Sequence, residues 1–74
     1  MIIELHKICL GCIVGCNHSI KEFQRGLRYA IVGFGFSNGE EDWVFRELSS
    51  EQKEFSVNKD YADLLIEDGN IKNL

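Results

Sequence analysis

Proline is absent from this chain of 74 residues, and no apolar run approaches the ~20 residues that a membrane-spanning helix needs. Without proline, every connection must be turned by Gly, Asn, Ser or Asp. Basic charge is also short, with 8 Lys and Arg against 12 Asp and Glu for a net charge of −4. That balance disfavours non-specific nucleic-acid binding, which draws its affinity from cations that neutralise phosphates. Met1-Ile2-Ile3-Glu4-Leu5-His6-Lys7 lacks the positive-then-apolar order of a signal peptide. The expected location is therefore a cytoplasm. The three cysteines, at positions 9, 12 and 16, are an odd number, which in such a compartment argues against a disulfide framework. Catalytic groupings are missing too. His6 and His18 have no nucleophile at a recognisable spacing, and no paired carboxylates sit in a plausible cleft. We expect no enzyme and no cofactor.

What remains is a 45% hydrophobic composition, enough for one small globular domain over residues 1–74 and no second one. Residues 5–14 carry Ile8, Cys9, Leu10, Cys12, Ile13 and Val14 and suit a first strand covered on both sides, with Gly11 and Gly15 as bends. Ser19 with Glu22 spells a capping box for one helical turn that Gly26 would stop, or else the stretch is a long irregular loop. Residues 27–36 read as the second and longest strand. Asn38-Gly39 makes a tight hairpin, residues 43–48 and 53–57 read as the third and fourth strands, and residues 49–52 turn between them. Asn58 or Asp60 caps a short helical turn through Leu65. Asp68-Gly69 then signals another hairpin, giving a fifth strand or a fifth and sixth. The expected core is Ile8, Leu10, Cys12, Tyr29, Ile31, Phe45 or Val44, Phe55, Val57, Leu64 and Ile66.

The segment Phe23-x-x-Gly26-x-x-Tyr29-x-Ile31, preceded by Cys12-Ile13 and followed by Trp43 and Phe55-x-Val57, resembles small SH3-like barrel proteins of bacteriophages and their bacterial hosts. The resemblance covers roughly positions 8–65. The chain departs from the pattern in Gly33-Phe34-Gly35-Phe36 and in the cysteine cluster. The fold expectation is all-β: a five- or six-stranded SH3-like barrel with one short helical turn. The resemblance implies a protein-binding module, in some cases one that interferes with a host machine.

Four constellations bear on such a role. Cys9-x-x-Cys12-x-x-x-Cys16-x-His18 offers four possible zinc ligands, but all lie within ten residues. A closed site would need the strand to break at Gly11, so Cys9 and Cys12 are read as small buried apolar residues and no metal is assigned. Gly33-Phe34-Gly35-Phe36 lacks the helix and lysine of a phosphate loop and is read as a curved strand. If Tyr29 and Ile31 point inward, then Ala30, Val32, Phe34 and Phe36 form an outward apolar row. That row is covered either by residues 1–7 or 69–74 or by a partner, most simply a second copy in a two-fold dimer. The acids Glu40, Glu41 and Asp42, with Glu47, Glu51 and Glu54, form either a solvated edge or a surface for a basic target. The expected contact residues are Val32, Phe34, Phe36, Trp43, Glu40, Glu41 and Asp42, with Trp43 alternatively a central core residue. The rivals are a nucleic-acid surface of Lys21, Arg25, Arg28 and Tyr29, and a zinc-stabilised domain.

Overall fold

The computed structural model describes residues 8–49 and 51–74. The chain forms β1 (Ile13–Cys16), β2 (Arg28–Ser37), β3 (Glu40–Glu47), β4 (Glu54–Asn58), α1 (Lys59–Glu67) and β5 (Ile71–Asn73). The five strands of the described residues join one antiparallel sheet in the order β4-β3-β2-β1-β5. The last strand thus returns to pair with the first. The pairings make β4 and β5 run parallel on opposite edges, and α1 carries the chain between them. Among the described residues the sheet is not closed into a barrel, because β4 and β5 are not hydrogen-bonded to each other.

Local chemistry accounts for most element ends. Asn38 and Gly39 both take positive φ, 53° and 79°, as a tight β2–β3 hairpin requires. Asn58 is the helix cap: its Oδ1 accepts the Tyr61 amide at 3.2 Å. The helix runs nine residues, longer than the single turn expected, because Ala62, Leu65 and Ile66 make one buried face against the sheet. Asp68-Gly69 is not a hairpin. Gly69 at φ 80° ends the helix, with its amide on the Ile66 carbonyl at 3.1 Å and the Asn70 amide on the Leu65 carbonyl at 2.9 Å. This is a Schellman stop, and only one strand follows it.

A further expectation is corrected. Strand β1 starts at Ile13 rather than at residue 5, of which residues 5–7 lie outside the described residues. The chain ahead of it is a turn at Gly11, whose φ of 88° breaks the extended run. Of the two readings of residues 19–25 the chain takes the irregular loop, and Ser19 caps no helix. Its Oγ accepts the Arg25 amide at 2.9 Å inside an irregular loop, and Ile20 and Phe23 exchange backbone hydrogen bonds.

That loop delivers Phe23 into the core. Its ring lies 5.0 Å from each of Tyr29, Phe45 and Phe55, in edge-on contacts. Around this aromatic centre are Ile8, Val14, Cys16, Ile31, Val57, Ala62, Leu65, Ile66 and Ile71. The Tyr29 hydroxyl accepts the Gln24 amide at 2.7 Å, and burial pushes its pKa above the ordinary phenol value. Leu10 and Leu64, expected in the core, lie outside it, at 58% and 52% exposure. Leu10 sits in the turn before β1, and Leu64 lies on the solvent side of α1. Cys12 packs only against the core margin.

Candidate interaction surface

The face assignment of β2 turns on one residue. Ile31 pairs with Phe45 and Gly33 with Val44, so Val32 is an extra residue, a β-bulge. A side chain on Gly33 would point at Val44, 3.3 Å from its Cβ, which places Val32 and Gly33 on the outer face together with Val44. Beyond the bulge the alternation is therefore reversed. Phe34 pairs with Trp43, and Trp43 shares the face of Phe45, two residues along β3. Phe34 and Phe36 thus lie on the same side of the sheet as Tyr29 and Ile31.

This corrects the expected outward row. Ala30 and Val32 face outward, and Phe34 and Phe36 do not share their side. Residues 69–74 do not cover the two phenylalanines. They end the helix and pair with β1, and Leu74 lies over Gly15 at 3.3 Å from where a Cβ would stand. The other expected cover, residues 1–7, lies outside the described residues.

The far end of the β2–β3 hairpin therefore carries an aromatic ledge continuous with the core face. Phe34 contacts Trp43 at 5.1 Å and Phe36 at 5.6 Å between ring centroids. Phe34 is 43% and Phe36 71% exposed. Trp43 is half-buried and packs on the core margin, pairing with Val57 across β3–β4, so it joins core to ledge. Its indole N–H is buried and has no acceptor among the described residues. An unmet buried donor costs about 1–3 kcal/mol.

The acids divide between the two faces. Glu41 pairs with Phe36 and borders the ledge. Glu40 and Asp42, one residue to either side, take the opposite side, and Glu40 accepts the Asn58 amide group at 3.0 Å. The other acids are engaged within the fold: Glu54 receives the Arg46 guanidinium across the strands, Lys53 pairs with Glu51 at 3.1 Å, and buried Glu47 accepts the Ser49 hydroxyl.

The basic candidates do not form a base-stacking platform. Tyr29 is fully buried, and the Lys21 ammonium sits 4.8 Å over the Tyr61 ring, while Arg25 and Arg28 are exposed. The cysteine cluster is also split. Cys16 is buried and donates to the His18 carbonyl at 3.1 Å, burial pushing its thiol pKa up. His18 is exposed, and no group of three or more His, Cys, Asp or Glu among the described residues is placed to hold a metal. Cys9 and Cys12, read as buried apolar residues, are instead exposed and half-buried, with their sulfurs 2.9 Å apart. Gly11 was the signal for this: the break at that residue is what lets the two side chains meet.

No helix among the described residues is long and apolar enough to cross a membrane. Compared with known proteins, the chain matches no family model, no curated protein and no solved structure.

Proposed function

We propose that this chain is a small protein-binding module of the SH3-like phage or mobile-element kind, which acts by occupying a surface on another protein. The observation that carries the reading is the ledge of Phe34, Phe36 and Trp43, exposed aromatic area continuous with the core face. Aromatic side chains anchored at one end and open at the other are the usual centres of protein–protein contacts. The order of strand, long loop, long strand, tight turn, strand, turn, strand, helix and returning strand favours an SH3-like barrel that has not closed. The preferred partner presents an apolar side chain to the ledge and a basic group to Glu41. A second copy of the chain is one such partner only in its apolar part, since Glu41 would meet itself.

The test compares wild type with Phe34→Glu and Phe36→Glu, first by far-ultraviolet dichroism and then by sedimentation and capture from a bacterial lysate. Folded variants that lose a protein captured by wild type support the reading. A concentration-dependent wild-type dimer that Phe34→Glu abolishes identifies the partner as a second copy. Folded variants that capture the same proteins as wild type reject the ledge as the contact surface.

A further inference from the structure

The segment Cys9-Leu10-Gly11-Cys12 is a β-turn closed by the Cys12 amide on the Cys9 carbonyl at 3.0 Å, with Gly11 supplying the positive φ at its third position. Such a turn brings its first and fourth Cα atoms within about 7 Å, the reach of a disulfide. The two Sγ atoms stand 2.9 Å apart, and the Cys9 amide also donates to Cys12 Sγ at 3.2 Å. The turn is fixed to β2 on both sides of its last residue. The Gly11 amide bonds the Ile31 carbonyl, and the Ile31 amide bonds the Cys12 carbonyl, both at 2.9 Å. Cys12 is thus held half-buried against the sheet while Cys9 is exposed to solution. The third cysteine, Cys16, is buried and turned toward the core.

We propose that Cys9 and Cys12 form a reversible dithiol–disulfide site that exchanges with low-molecular-weight disulfides. With such a disulfide, RSSR, the Cys9 thiolate attacks one sulfur, forming Cys9–S–S–R and expelling RS⁻, which takes up the proton that Cys9 lost. The Cys12 thiolate then attacks Cys9 Sγ, breaking that mixed bond and expelling the second RS⁻, which takes up the proton from Cys12. The protein loses two hydrogens and RSSR is reduced to two RSH. The exposed thiol is the one an incoming disulfide meets, and the half-buried thiol is placed to resolve the adduct. Hydrogen bonding to Cys12 holds the Cys9 thiol above its ordinary pKa, so exchange accelerates as pH rises into the alkaline range.

The test equilibrates the purified chain in oxidised and reduced glutathione at graded ratios, followed by acid quenching, alkylation and intact-mass and peptide mapping. Wild type is expected to pass in one transition to a monomer two hydrogens lighter, with Cys9 linked to Cys12 and Cys16 alone alkylated. Cys12→Ser is expected to stop at a glutathione adduct on Cys9, and Cys9→Ser to yield no internal disulfide. Cys16→Ala, if folded by dichroism, should keep the wild-type transition. A wild-type chain that accumulates the Cys9 adduct, or that crosslinks between molecules in place of losing two hydrogens, overturns the proposal. So does a folded Cys16→Ala chain that no longer forms the internal disulfide.

Discussion

Phe23 and Phe34 are both phenylalanines within about one strand's length of sequence, yet they do opposite work. Phe23 is 1% exposed and sits at the meeting point of three other rings. Phe23→Ala should cost about 3–5 kcal/mol by lost burial and the cavity left behind. A domain this small has only ~3–5 kcal/mol from its core, so the variant is expected to show no cooperative thermal transition. Phe34→Ala removes a half-exposed ring and should cost less than half as much. Urea titration checks the contrast: Phe34→Ala is expected to keep a cooperative transition, and its loss there as in Phe23→Ala would mean that the ledge is part of the core. The loop before β2 places Phe23, whereas the bulge at Val32 decides the face that Phe34 takes. A single extra residue moves the next two phenylalanines from one face to the other, since side chains in a strand alternate with period two.

At the scale of elements, α1 and its two ends matter most. The helix is short, so it depends on its caps and on the Ala62, Leu65 and Ile66 face rather than on intrinsic propensity. Asn58 serves the helix through Oδ1 and reaches Glu40 through Nδ2, tying the β2–β3 hairpin to the start of α1. Asn58→Ala should therefore cost about 1 kcal/mol from the lost cap, a fall in Tm of about 4–8 °C for a domain of this size. Asn58→Asp keeps the cap acceptor but faces Glu40 with a like charge, and calorimetry should place it between the two. The hairpin at Asn38-Gly39 and a helix start at Asn58 or Asp60 are legible because each is decided by a few adjacent residues, and the structure selects Asn58. Asp68-Gly69 was misread for the same reason. A positive-φ glycine serves a hairpin or a helix stop equally well, and only the packing of Ile66 and Ile71 into the core selects the stop.

For the whole molecule, the return of β5 to β1 closes the chain's path. Ile71 is 1% exposed, and its strand supplies the outer partner of β1, a strand of only four residues. Removing residues 71–74 should leave β1 as a short edge and open the core beneath it. The shortened chain is expected to lose the cooperative urea transition that full-length protein shows by dichroism. A truncated chain that unfolds with the full-length midpoint would show that β5 adds no stability.

Composition and local pattern determined that this chain is mostly β and, to within a few residues, where β2, β3 and β4 lie. These follow from periodicity and turn chemistry, which act over a few residues. The tertiary structure decided what depends on contacts between distant segments. The register of β2 against β3 placed the bulge at Val32 and so chose the face of Phe34 and Phe36. The loop before β2 put Phe23 at the centre of the core, and the hydrogen bonds that Gly11 donates to Ile31 and Ile31 donates to Cys12 fixed the Cys9–Cys12 turn with its sulfurs together. A bulge is one residue's difference between two strands, and neither strand alone contains it.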